Sequence, residues 1–214
     1  VPNYTIINAV EQTTSGKELF VTIINKTQEI ELILDNNFTN CTLLFAGSTN
    51  ITEIDLSKFN SDSITDIRYM FFNCTSLKSI NFAGFNTTNV IYMNAMFANC
   101  SSLISLNISN FNMQAVKQLV SMFFDCQSLK SLYLPAMSTT QIINYNYMFY
   151  NCYSLKSLNL SKWNISNVHI ISFNSMFYNC TSLTSLNISN FDTSSVYHMG
   201  IFDFMFEGCK NLRY

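Results

Sequence analysis

The sequence predicts an α/β solenoid: one parallel sheet, short helices on the opposite side, and a β-rich N-terminal cap. Three observations predict it. The string Met-Phe-x-x-Cys-x-x-Leu recurs around Cys74, Cys100, Cys126, Cys152, Cys180 and Cys209, at spacings of 26, 26, 26, 28 and 29. Each copy is followed by a short apolar alternation. Periods of this size belong to chains whose units bury their apolar faces only by stacking on one another.

The helix expectation comes from the segment before each Cys. Val90, Met93, Met96 and Phe97 are spaced as the stripe of a short amphipathic helix. Equivalent helices are expected around Leu119 and Met148. Thr87, Thr88 and Asn89 offer capping oxygens before the stripe. After it come Asn73, Asn99, Asp125, Asn151, Asn179 and Gly208 in turn, residue types suited to a left-handed helix end.

The strand expectation rests on Leu103-x-x-Leu106-x-Ile108 and its copies, with strands centred on Leu106, Leu132, Leu158 and Leu186. An aromatic or Met then closes each unit: Phe59, Phe85, Phe111, Met137, Trp163 and Phe191. Residues 1–50 read as a cap, with residues 51–214 as the repeat array. In the cap, Leu19/Val21/Ile23 and Ile30/Leu32/Leu34 alternate about a turn at 25–28, which predicts a hairpin. Phe38, Cys41 and Leu44 read as a degenerate first unit, lengthened by about seven residues because Cys41 and Cys74 are 33 apart.

Composition narrows the function. The 214 residues are 48% hydrophobic and only 11% charged, with a net charge of −2. That leaves no basic footprint for nucleic acid or an anionic membrane, and no stretch approaches a membrane span. There is no initiator Met and no signal region at Val1, so the chain reads as a mature or excised fragment. Asn-x-Ser/Thr tripeptides recur from Asn3 to Asn187 and permit glycosylation in a eukaryotic secretory route.

A catalytic or metal constellation is hard to assemble. His169 and His198 have no evident nucleophile or further ligands and read as solvent-facing residues. Glu53, Asp55, Asp62 and Asp66 are the densest acidic cluster; their oxygens suit Ca²⁺, but a solvated face is the better reading. One thiol per unit suits a reduced, buried ladder better than a metal site. The methionines read as core, since Phe follows nearly every one in the repeat. No cofactor is implied, and an enzyme is set aside.

The outward strand positions carry a Ser column, an Asn column and a broken Lys column. Lys78, Asn81, Asn107, Lys130, Tyr133, Lys156 and Asn159 form the candidate ligand-binding surface, with Tyr133 as aromatic anchor. The alternative is that the Asn and Ser columns only stabilise the sheet.

Met-Phe-x-Asn-Cys-x-Ser-Leu-x-Ser-Leu-Asn-Ile-Ser-Asn-Phe occurs at Met96–Phe111 and again at Met176–Phe191. It resembles the 26-residue leucine-rich repeat of BspA-like surface proteins, over roughly residues 51–214. The sequence departs from it at Leu134-Pro135 and in two longer late units. The resemblance implies a secreted or surface-exposed, adhesin-like scaffold that contacts host or matrix proteins, while the flat polar strand face suits a protein or glycan ligand. Its alternative is a structural subunit of a surface layer or filament, assembled from further copies through the repeat ends or faces. Neither reading involves nucleic acid or direct membrane insertion.

Overall fold

A computed structural model describes the backbone of residues 19–25 and 29–34, and residues 39–137, 144–165, 172–191 and 200–213 in full. The predicted hairpin is present: β1 (Leu19–Asn25) runs antiparallel to β2 (Glu29–Leu34). β1 also pairs antiparallel with β3 (Ile51–Asp55), which pairs parallel with β4 (Ser79–Asn81). Four strands in the order β2-β1-β3-β4 thus join the hairpin to the first units.

The expected single sheet is divided. β5 (Ser105–Asn107) pairs with β6 (Ser131–Tyr133), and β7 (Ser157–Asn159) pairs with β8 (Ser185–Asn187), both parallel and in register. The central residues sit where they were expected, with Leu106 opposite Leu132 and Leu158 opposite Leu186. Three-residue strands offer few ladder bonds, so a small displacement ends a sheet. Pro135, without an N–H, follows β6 closely. No single residue accounts for the division between β4 and β5.

The expected helices are absent among the described residues. The segment Met93–Cys100 shows what replaces them. Met93, Ala95, Phe97 and Asn99 donate their N–H groups to Gln118, Val120, Met122 and Phe124 of the next unit, at 3.2, 2.9, 3.0 and 2.7 Å. Between them, Met96, Ala98 and Cys100 donate to the carbonyls three residues back. Alternate N–H groups therefore point outward to the neighbouring unit, and the others close tight turns. An α-helix would use every N–H internally, four residues back, at negative φ. Here φ is +51° at Ala95 and +64° at Asn99. The apolar spacing that suggested a helix serves equally well for this ribbon of turns, which repeats in every unit and covers Met93, Leu119 and Met148.

Two left-handed columns run along the stack. One is the Asn/Asp/Gly column that the sequence revealed from Asn73 to Gly208, to which the structure adds Gly47. The other is Leu43, Tyr69, Ala95, Ser121, Tyr147, Ser175 and Phe204, residue types that carry no such signature. A left-handed non-glycine residue costs roughly 1–2 kcal/mol. The bonds to the next unit, and the burial of the ring two residues later, offset that cost.

The ring in question is Phe45, Phe71, Phe97, Phe123, Phe149, Phe177 or Phe206. These seven form one stack, with successive centroids 5.3–5.6 Å apart and planes within 9° of parallel. Met70, Met96, Met122, Met148, Met176 and Met205, the cysteines from Cys74 to Cys180, and Leu77, Leu103, Leu129, Leu155 and Leu183 complete a continuous core.

The bonding register corrects the reading of the first unit. Cys41 donates to Asp66 O as Ile67 does to Tyr92 O and Met93 to Gln118 O, so Cys41 lies in the Ile67/Met93 column. Ser48 occupies the cysteine position, 26 residues before Cys74. The ribbon of this unit has regular length, and no insertion is needed. Phe38 lies outside the described residues.

Candidate functional site

Each thiol of the repeated Met-Phe-x-x-Cys string has a specific partner. Cys74, Cys100, Cys126, Cys152, Cys180 and Cys209 donate through Sγ to the carbonyls of Phe45, Phe71, Phe97, Phe123, Phe149 and Phe177, at 3.0–3.3 Å. That same carbonyl accepts the N–H of the Cys or Ser three residues on in its own unit, as Phe97 O does from Cys100. The thiol supplies a small apolar body and one weak donor at a point where a carbonyl's second lone pair is buried. All seven cysteines are free. Burial pushes the thiols of Cys74 and Cys126 up to about 12. A reactive cysteine needs a stabilised thiolate, and these positions disfavour one.

The acidic cluster is engaged locally. Asp55 Oδ1 accepts from the Ser57 N–H at 2.7 Å and from Asn81 Nδ2 at 3.1 Å. Asp62 Oδ1 accepts from Asn86 Nδ2 at 2.6 Å. Asp66 forms a two-pronged ion pair with Arg68, whose guanidinium lies 5.1 Å from the Tyr92 ring centroid. Burial of Asp66 opposes its charge, yet bonds from the Arg68 side chain and backbone hold its carboxyl below the usual range. His169 and His198 lie outside the described residues. Among the described residues, no group of three His, Cys, Asp or Glu side chains is placed to hold a metal ion. Nor is any helix there long and apolar enough to cross a membrane.

The strand face carries all seven predicted site residues in exposed positions. Lys78, Lys130 and Lys156 each stand just before a strand. Asn81, Asn107, Tyr133 and Asn159 end β4, β5, β6 and β7. Register places Asn107 directly beside Tyr133. The divisions between β4 and β5 and between β6 and β7 leave the other site residues unlinked by a ladder. Ile104, also exposed, interrupts the lysines between Lys78 and Lys130.

The Asn column does local structural work. Asn81, Asn107, Asn159 and Asn187 accept through Oδ1 the N–H two residues on, from Ala83, Ser109, Ser161 and Ser189, at 2.9–3.1 Å. These Asx turns hold the chain as it leaves each strand. Tyr133 cannot accept in this way, and the residue two further on is Pro135, which has no N–H to satisfy. The two departures from the repeat therefore compensate one another. The Pro135 carbonyl instead accepts from Trp163 Nε1 at 3.2 Å. Tyr133, 61% exposed, is thus released from the turn-forming duty of its column.

A true amide ladder occurs on the other side, in the left-handed column. Asn99 Nδ2 donates to Asn73 Oδ1 at 2.7 Å, Asn151 Nδ2 to Asp125 Oδ1 at 2.7 Å, and Asn179 Nδ2 to Asn151 Oδ1 at 3.2 Å. Sequence reasoning placed the ladder on the strand face. It also missed a recess on the ribbon face, between Phe72 and Phe124. The available signal was alanine at 95 and 98, where the units on either side carry a larger residue at each position.

Units joined in register by backbone bonds, a ring stack and a thiol ladder define a repeat protein. The chain belongs to the family described as "Mycoplasma protein of unknown function, DUF285", whose pattern it matches over residues 14–135 and 132–214. No curated protein and no solved structure matches it.

Proposed function

We propose that this protein is a non-enzymatic binding scaffold of the BspA-like leucine-rich-repeat type, working outside the cell or at its surface. Residues 1–50 act as cap and residues 51–214 as solenoid, and the ligand is a protein or glycan. The observation that carries this reading is the strand face. Its Lys, Asn and Tyr side chains are solvent-facing on rigid elements, and Tyr133 adds a large flat group free of any turn-forming role. Tyr is a frequent contact anchor because it combines rigid apolar area with a polar tip. Asn107 and Asn159 have Oδ1 committed to their turns and offer Nδ2 as donor, Asn81 also directs Nδ2 to Asp55, and the lysines add a salt-sensitive component. The test is the triple variant Tyr133→Ala/Lys130→Ala/Lys156→Ala, assayed for adhesion to host or matrix protein and for melting. Loss of adhesion with unchanged melting supports the reading, and unchanged adhesion rejects it. Glycosylation is checked by mass before and after amidase treatment of the native protein.

A second reading is a surface-layer or filament subunit, in which the repeated Ser and Asn columns of the strand face pack laterally against another copy. Concentration-dependent assembly of the purified chain, without host binding, would support it over adhesion.

A further inference from the structure

The ribbon face carries a second column of rings outside the core. Phe124, Tyr150 and Tyr178 stack at 4.9 and 4.7 Å, with planes within 8° of parallel. The bonding register fixes the other members of this column. Asn73 donates to Ala98 O, Asn99 to Phe124 O and Asp125 to Tyr150 O, while Gly47 donates to Phe72 O. The column therefore reads Ala46, Phe72, Ala98, Phe124, Tyr150, Tyr178 and Glu207. Ala98 is its one ringless member with a ring in the unit on either side, and those two rings stand two units apart. At a parallel-strand spacing of about 4.8 Å per unit, that separation is about 10 Å. It admits one ring at the separations of about 4.5–7 Å that aromatic pairs favour.

The same unit is also reduced at its left-handed position, and both alanines are buried, Ala95 at 6% and Ala98 at 2% exposure. Ala95 stands where the preceding unit has Tyr69 and where a later one has Tyr147. The two alanines form the floor of a recess of about 510 Å³, within the usual size range of ligand sites. Tyr69 and Phe72 line one side and Phe124 the other. Tyr69 and Phe72 brace one another edge-to-face at 5.8 Å. The rim is polar. Asn94 Nδ2 donates to Gln118 Oε1 at 2.6 Å, and Lys117 adds a cation. Asn94 Oδ1 is buried without a donor, an arrangement that costs free energy until a donor reaches it.

We propose that this recess receives the side chain of a tyrosine from a partner polypeptide, its ring filling the vacant place between Phe72 and Phe124. The chain itself shows that such a ring fits, because Tyr150 and Tyr178 occupy this position in later units. The hydroxyl distinguishes Tyr from Phe as occupant, since the rim offers both an amide acceptor and cationic or amide donors. The site lies on the ribbon face and does not depend on the strand-face reading.

The test uses the whole chain and a capped Gly-Tyr-Gly peptide, with Gly-Leu-Gly and free p-cresol as comparisons, followed by NMR at the Ala95 and Ala98 methyls. The Tyr peptide is expected to shift both methyls, and the Leu peptide at least tenfold more weakly. Ala98→Phe fills the vacancy with the ring that Phe72 and Phe124 already place in their units, and should weaken peptide binding at least tenfold. Phe124→Leu keeps a half-buried apolar side chain but removes a stacking face, and should weaken it severalfold, so the question stays answerable if Ala98→Phe does not fold. The triple strand-face variant should bind the peptide like the parent. No methyl shift, equal binding of the Leu peptide, or unchanged binding in a folded Ala98→Phe or Phe124→Leu variant overturns the proposal. Binding of p-cresol without binding of the peptide also overturns it, in favour of a small aromatic molecule.

Discussion

The ribbon face and the strand face differ in what holds one unit to the next. On the ribbon face, Met93, Ala95, Phe97 and Asn99 each place a backbone bond across a single interface, beside a stacked Phe and a thiol bond. On the strand face the ladders are three residues long, and they are absent between β4 and β5 and between β6 and β7. Cohesion is thus concentrated on the ribbon. The difference matches the texture of the sequence, in which Met-Phe-x-x-Cys stays nearly fixed while the outward positions flanking the constant Ser column change, among Lys, Ile and Thr before it and between Asn and Tyr after it. A face that contributes little to stacking is free to be shaped for contact.

The largest expected way to break the ribbon is alkali. The folded thiols of Cys74 and Cys126 titrate at about 12, against an ordinary value of 9.0. Because the folded value is raised, the stabilisation is fully present below pH 9 and is lost as pH rises towards 12. Each such thiol contributes a loss on the order of 1 kcal/mol per pH unit in that window. Denaturant titrations between pH 8 and 12 should show stability falling steeply, and a Cys126→Ala variant should fall less steeply. A pH-independent midpoint over that range would contradict the buried ladder.

Removing a ring comes next. Phe97→Ala leaves a vacancy in the middle of the stack and should cost about 3–5 kcal/mol, with Met96→Ala in the range of about 2–5 kcal/mol. Thermal or urea unfolding reads both. If either variant melts with the parent, the ribbon core is not what stabilises the fold.

A smaller effect sharpens the comparison on the strand side. Pro135→Ser alone creates an N–H that Tyr133 cannot accept, whereas Tyr133→Asn/Pro135→Ser restores the Asx turn of the neighbouring units. The double variant should be the more stable by about 0.5–1 kcal/mol, a coupling that a double-mutant cycle measures. Smallest of all, Tyr133→Ala should change stability by less than about 0.5 kcal/mol, as expected for an exposed side chain outside the turn network.

Much of this architecture was legible in the sequence, and the failures have one cause. The period, the strand centres, the hairpin, the buried Met and Cys columns and the left-handed Asn column all follow from residue type and spacing. Helix and turn ribbon do not separate on those grounds, because residues three and four apart share a face in both. What distinguishes them is the left-handed conformation at Tyr69, Ala95 and Tyr147, and nothing in Tyr or Ala announces it. It arises from bonds to the next unit, which are non-local. The same non-locality hid the register of the first unit, where Ser48 stands in for cysteine and Cys41 is a decoy. Of the candidate site, the exposure of Lys78, Asn81, Asn107, Lys130, Tyr133, Lys156 and Asn159 was legible from alternation alone. The Asx role of the asparagines required knowing where the next N–H points. The recess at Ala98 becomes visible only when the columns are aligned through their hydrogen bonds.

The bonds between ribbons also govern how such a chain answers a pull. In each interface they lie side by side, all directed along the stack, so tension applied to the two ends opens one interface as a block. A released unit of 26 residues pays out on the order of 90 Å of extended chain. The force–extension trace should therefore be a sawtooth with one tooth per unit, the spacing lengthening slightly where the repeats grow to 28 and 29 residues. A molecule of this build yields in instalments under strain, dissipating work at each step while the remaining units hold.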